Sequence, residues 1–181
     1  MEFLKISLSR PRDILVIMQY MQRIMKKDNL GDGKFFSKEV FDSNEFQNNY
    51  SKYFMSSLKD QLSFYYSSVD FEHFLKLFDF FKNADFTYEE YISNYDKFID
   101  YILENAEEIP EFIDDKQKLL QLLYDSNIIT AIEIDENGKK YFHFSYREKD
   151  SANINPKVWI GDNISYRFHY GLYKKTKMGR Y

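Results

Sequence analysis

The chain has 181 residues, with 25 Lys and Arg against 29 Asp and Glu, and its formal net charge is −4. It has no cysteine, which excludes disulfides, thiolate metal sites and cysteine nucleophiles. Its 44% hydrophobic and 30% charged residues are typical of a folded chain, and its acidic balance argues against a domain devoted to gripping duplex DNA.

The first predicted helix begins near Pro11 and runs to about Lys27, after a short strand or linker at residues 1–9. Proline suits the first helical turn, where its missing N–H costs nothing. Apolar residues recur there at steps of mostly three or four, which predicts one buried face. Its members are Ile14, Leu15, Ile17, Met18, Met21 and Met25.

Further helices are predicted along the next hundred residues. A short one begins after Ser37, and longer ones cover residues 44–66 and 70–82. Thr87 with Glu90 three residues later has the pattern of a capping box and predicts a helix to about residue 105.

The period of the pattern changes after the last predicted long helix. Asp114 or Asp115 is predicted to open that helix, which ends at Tyr124. Residues 128–134 then alternate as a strand, and residues 141–146 return as a second one. The turn between them contains Asn-Gly, the strongest short-range signal for a hairpin.

These elements predict a mostly α chain with a small β-hairpin, of the α+β class. We expect a helical bundle, lid-like over residues 1–68, followed by a winged-helix-like lobe over residues 69–181. The helix at 114–125 takes the place of the third helix, and residues 129–146 form the wing.

Several segments resemble one family. They are SRPRDIL at residues 9–15, the Tyr50-Ser51 pair, LLQLLYDSNIITAIEI at 119–134, YFHFSYRE at 141–148 and FHYGLYKK at 168–175. Together they resemble the C-terminal helical and winged-helix region of bacterial P-loop ATPases related to the STAND and AAA+ groups.

The resemblance implies a regulatory and interaction region rather than an enzyme. The GxxxxGK[ST] pattern of a nucleotide-binding core is absent, so this fragment would hold no cofactor and the parent protein would bind ATP. Met1 would then begin a fragment, and its partners would be the missing ATPase core and other proteins in the bacterial cytoplasm.

The resemblance also implies a role for Arg10 and Arg12. An arginine in this region of the family can sense bound nucleotide, because a guanidinium pairs with phosphate in a bidentate manner. The other interpretation is an ordinary helix start, with Arg12 paired to a nearby carboxylate and Asp13 favoured by the helix dipole.

A winged helix that binds nucleic acid is the alternative function. Candidate residues are Lys116, Lys118, Lys139, Lys140, Lys174, Lys175 and Lys177. Asp114 and Asp115 at the entering end of the third helix would face phosphates badly. The basic tail is also compatible with a solvated terminus.

No residue pattern predicts a catalytic or metal site. The three histidines are far apart, no metal-ligand spacing is present, and no apolar run reaches the length that spans a bilayer. An acidic stretch could bind a basic partner or simply face solvent. Its members are Glu104, Glu107, Glu108, Glu111, Asp114 and Asp115.

Overall fold

The computed structural model describes residues 11–30, 36–150 and 152–172. These residues are mostly helical with a small antiparallel sheet, which confirms the predicted α+β class. They form two compact units, residues 11–57 with 170–172 and residues 58–169. The predicted regions 1–68 and 69–181 stay a prediction, and the predicted strand at 1–9 lies outside the described residues.

The first unit is built from helices α1 (Pro11–Lys27), α2 (Lys38–Asp42) and the first part of α3 (Asn44–Leu62), which crosses the boundary after Ser57. Ser37 caps α2 as predicted, because its hydroxyl accepts the Glu39 backbone N–H at 3.0 Å. The apolar residues of this unit pack into one core. They include Ile17, Met21, Ile24, Met25, Val40, Phe46 and Tyr50.

The buried face of α1 differs from the predicted one at three positions. Leu15 is 60% exposed and Met18 is 39% exposed, whereas Ile24 is buried. The buried residues follow a stripe that includes Asp13 and Ile17, and Leu15 and Met18 lie beside it. The apolar pattern was therefore wider than the face that the helix buries.

The second unit contains helices α4 (Ser68–Lys76), α5 (Tyr88–Asn105) and α6 (Lys116–Asp125). The prediction that α3 would reach residue 66 was wrong, because a turn after Leu62 leads to Ser67, which caps α4 with Asp70 in a capping box. The predicted helix at 70–82 likewise ends early, at Lys76, and continues as a 3-10 turn. Thr87 and Glu90 form the predicted capping box of α5.

The sheet of the second unit has four strands, β1 (Asp85–Thr87), β2 (Ile129–Ile134), β3 (Lys140–His143) and β4 (Ile164–Phe168). Their order is β1-β4-β2-β3, and all neighbours are antiparallel. The predicted hairpin is confirmed as β2 and β3, with Gly138 at a φ of 77° in its turn.

Two features of the sheet were not predicted. β1 and β4 pair across some eighty residues, and β4, rather than β3, lies between β1 and β2. The returning strand also ends at His143 instead of residue 146, because residues 145–148 form the short helix α7 (Ser145–Glu148). Residues 144–163 therefore form an insertion between β3 and β4.

Aromatic rings fill the core beneath the sheet. Phe168 of β4 meets Phe78, Phe81 and Phe86, with ring centroids 4.7 to 5.5 Å apart. Such ring pairs contribute stabilising free energy beyond that of the area each ring buries.

Among the described helices, none combines the length and apolarity needed to cross a bilayer.

Gly171, in the 3-10 turn Tyr170–Leu172 of the first unit, tests the packing of that unit. A Cβ atom there would lie 2.6 Å from Cγ of Phe54, near the fixed end of that side chain. We expect Gly171→Ala to lower the free energy of unfolding by about 1–3 kcal/mol because of this overpacking. Thermal unfolding followed by circular dichroism measures it.

Gly161→Ala is the control for that substitution, since its Cβ would meet only the side-chain oxygen of Asn163 at 3.2 Å and the side chain of Ile164. Equal melting temperatures of the two variants would contradict the described packing of Gly171 on Phe54.

Candidate functional site

The Arg-Pro-Arg-Asp element divides its roles between two neighbouring residues. Asp13 is only 3% exposed, and its Oδ1 accepts a hydrogen bond from the Tyr53 hydroxyl at 2.6 Å. Its Oδ2 is buried without a hydrogen-bond partner among the described residues. Arg12 is exposed on the first turn of α1. Asp13 thus attaches the helix start to α3 and leaves Arg12 directed outward.

The helix-start interpretation requires an ion pair between Arg12 and a carboxylate. The described residues contain no such pair. Arg10 lies outside the described residues. The structure therefore leaves the guanidinium of Arg12 accessible, and the nucleotide-sensing role of both arginines stays a prediction.

The outward face of α6 is partly covered by the chain itself. The nitrogen and the oxygen of the Gln121 side-chain amide both form hydrogen bonds with the insertion. Nε2 donates to the Pro156 carbonyl at 3.0 Å, and Oε1 accepts the Val158 N–H at 2.9 Å. A groove of about 560 Å³ remains between the helix and residues 157–160. The centre of this helix face is consequently occupied by residues 156–158.

A stacked pair of rings holds the far end of the covering segment. Trp159 stacks on His143 with ring centroids 4.3 Å apart and planes inclined by 20°, and the Tyr166 hydroxyl donates to the Trp159 carbonyl at 2.7 Å. The Trp159 side chain is 43% exposed. It anchors the insertion by stacking rather than by full burial.

His143 lies between two carboxylates. Its Nδ1 is 2.9 Å from Oε1 of Glu148, and its Nε2 is 3.1 Å from Oε2 of Glu133. Carboxylates only accept, so both contacts are hydrogen bonds when both ring nitrogens carry a proton. Through these two contacts the His143 ring links β3 to Glu133 of β2 and to Glu148 of α7.

The Tyr124 hydroxyl completes this cluster by donating to Oε2 of Glu148 at 2.9 Å. Burial, followed by that hydrogen bond, raises the pKa of Tyr124 and keeps it a donor. The cluster unites α6, both hairpin strands and α7. Its residues are not regularly spaced in the sequence, so no local sequence pattern predicts the cluster.

The start of α6 carries carboxylates among the predicted lysines. Asp115, not Asp114, caps the helix by accepting the backbone N–H groups of Gln117 and Lys118 at 2.6 and 3.1 Å, and these bonds lower its pKa. Asp114 pairs with the Lys118 ammonium at 3.2 Å. The charge of Lys116 and Lys118 is therefore largely balanced where the helix begins.

The remaining predicted lysines lie elsewhere. Lys139 lies over the Tyr141 ring at 4.7 Å, and Lys140 is exposed at the first position of β3. No described contact joins this pair to the lysines of α6. Lys174, Lys175 and Lys177 lie outside the described residues. Among the described candidates, the structure thus brings together only lysines that are close in sequence.

No protein-family model, curated protein or solved structure matches this chain. Among the residues that the structure describes, no group of three or more His, Asp or Glu side chains is arranged to hold a metal ion.

Gln121→Ala is expected to release the segment that covers α6. The substitution removes both hydrogen bonds to residues 156 and 158, so the Val158 amide should exchange its hydrogen about tenfold faster, as losing one net hydrogen bond implies. Hydrogen–deuterium exchange resolved by NMR measures the rate.

Gln117→Ala provides the matched control, because that glutamine lies on the same helix and is exposed. An unchanged exchange rate of Val158 in the Gln121 variant would mean that the segment is held in another way.

Proposed function

We propose that the chain is the C-terminal regulatory and interaction region of a P-loop ATPase, which binds protein partners and presents Arg12, together with Arg10, to the nucleotide of the core. The observation that carries the interaction role is the covered face of α6. That helix holds the third-helix position, where a nucleic-acid-binding relative of the helix-turn-helix places its recognition side chains.

The order of elements supports a winged-helix-like second unit. Helices α4, α5 and α6 precede the strands β2, β3 and β4, as in the predicted layout. β1 lies between the first two helices and joins the sheet through β4. In such a unit the wing would comprise β2, β3 and the insertion at residues 144–163, and it would exceed the predicted residues 129–146.

The covering segment argues for protein rather than nucleic acid as the partner. A recognition helix must offer free donors and acceptors to base edges. In α6 the amide of Gln121 is already bonded at both ends, and Asp115 and Asp125 border the remaining groove. Because Lys118 and Lys157 lie in the same lining, the groove has balanced charge and no excess of positive charge to attract phosphates.

The geometry of Arg12 supports the nucleotide-sensing part of the proposal. The buried Asp13–Tyr53 hydrogen bond fixes the start of α1, so the backbone that carries the exposed Arg12 has a defined position. A guanidinium held in this way can contact a γ-phosphate in one conformation and lose it in another, which a nucleotide-dependent switch requires.

The nucleic-acid alternative is tested by fluorescence anisotropy with a labelled DNA duplex and a labelled RNA hairpin. We expect no binding tighter than about 100 µM at physiological salt, the weak end of non-specific affinity. Affinity that is at least about tenfold higher, falls steeply with salt and is lost in the combined Lys116→Ala and Lys118→Ala variant would establish the alternative.

The sensing role is tested in the parent protein. We expect Arg12→Ala to lower ATP turnover roughly tenfold, which corresponds to about 1.4 kcal/mol of lost transition-state stabilisation, with the fold unchanged by circular dichroism. Arg23→Ala, an exposed arginine farther along α1, is the control. Normal turnover in both the Arg10→Ala and Arg12→Ala proteins would refute the role.

A further inference from the structure

A groove on the second unit combines an apolar floor with exposed apolar side chains. It has a volume of about 540 Å³ and lies between the C-terminal half of α5 and residues 109–114. Tyr95 and Ile113 are buried at its base, and Ile99 is half-buried. Leu103 and Ile109 are each 62% exposed. Side chains this apolar and this exposed side by side mark a contact surface.

The shape of the groove is fixed by internal contacts. The Tyr95 hydroxyl donates to the Ile113 carbonyl at 2.6 Å, which ties the 3-10 turn Glu111–Ile113 to α5. Positions 95, 99 and 103 are four residues apart, so they form one stripe along the helix. A partner would therefore meet a preformed apolar channel and pay little to order it.

The rim of the groove carries three carboxylates, one of which, that of Asp114, also pairs with the Lys118 ammonium at 3.2 Å. Asp96, Asp100 and Asp114 line it, and no described lysine or arginine does. Lys97 follows Asp96 directly, yet it lines a different cavity on another side of α5. Burial and then the charges of Asp115, Asp96 and Asp114 raise the pKa of Tyr95, in keeping with this negative field.

We infer that this groove docks a basic amphipathic helix of a partner protein, with its apolar side chains on the floor and its Lys and Arg residues against the acidic rim. Apolar anchors at helical spacing fit a groove of this kind. The rim gives the sign of the partner's charge, because like charges across an interface cost affinity and opposite charges steer association.

The same charges exclude other occupants. Anionic phosphates and membrane surfaces are repelled by the rim. The inference deepens the proposed interaction role, and it rests on that role only in taking the occupant to be a protein.

The test uses the full chain and a synthetic peptide of about 18 residues with Leu on one helical face and Lys on the other. One control peptide has the same composition in scrambled order, and another has Glu in place of Lys. We expect saturable one-to-one binding of the Leu/Lys peptide by calorimetry. Both controls should bind at least about tenfold more weakly.

Substitutions locate the binding on the chain. Leu103→Ser combined with Ile109→Ser should weaken binding at least about tenfold, and both sites are exposed enough to spare the fold. The matched control is Val69→Ser with Ile154→Ser, which removes two equally exposed apolar side chains outside the groove and should leave the affinity unchanged.

The acidic rim is tested by its salt dependence. Asp96→Asn with Asp100→Asn should weaken binding and flatten its decrease between about 50 and 500 mM salt. Glu136→Gln with Asp162→Asn removes two exposed carboxylates outside the groove and should change neither quantity.

Three results would overturn the inference. The first is no binding of the Leu/Lys peptide, and the second is equal binding after the Leu103 and Ile109 substitutions. The third is an affinity for the peptide that rises about tenfold when Lys174→Glu, Lys175→Glu and Lys177→Glu are combined. That result would assign the groove to the chain's own tail. Failure of the proposed function is seen separately as duplex binding, whether or not the peptide occupies the groove.

Discussion

The pairing of β4 with both β1 and β2 is the constraint on which the second unit depends. β4 brings residues 85–87 beside residues 129–133, and the bidentate contact of Arg167 with Asp85, at 2.5 and 2.6 Å, reinforces the outer pair. Because the centre of the sheet is filled by the last strand, the chain must leave the sheet after β3 and return some twenty residues later. That excursion passes over α6, where Gln121 captures it. The covered helix is thus a consequence of strand order.

The distribution of charge and burial follows from this arrangement. One face of the helical layer, on α6, is partly covered by the chain's own backbone at residues 156–158. The other, on α5, stays open with Leu103 and Ile109 exposed between carboxylates. An exposed apolar groove bordered by carboxylates is better suited to contact with a polypeptide than with a phosphate.

Local signals in the sequence predicted the helices and the hairpin, because caps and turns are fixed by neighbouring residues. Thr87 with Glu90 marked the start of α5, and Asn137-Gly138 marked the hairpin turn. β1 and β4 could not be predicted in the same way, since three and five residues carry little pattern and their pairing spans eighty positions. The contacts of Gln121 and His143 with the insertion are equally non-local. The predicted site lysines were chosen by charge alone, and charge does not show that Asp115 and Asp114 already engage the start of α6.

The short acidic turn at 114–115 shows how one local sequence serves both faces of the unit. Asp115 is committed to capping α6, and its bonds to the backbone N–H groups of Lys118 and Gln117 lower the pKa of its carboxyl group. Asp114 is displaced by one residue and so points to the neighbouring groove, where it joins Asp96 and Asp100. The helix cap requires a carboxylate, amide or hydroxyl only at position 115. Asp114 contributes little to the helix beyond its exposed ion pair with Lys118, a contact of small energetic value. Its charge therefore has more effect on what approaches the groove than on the stability of the fold.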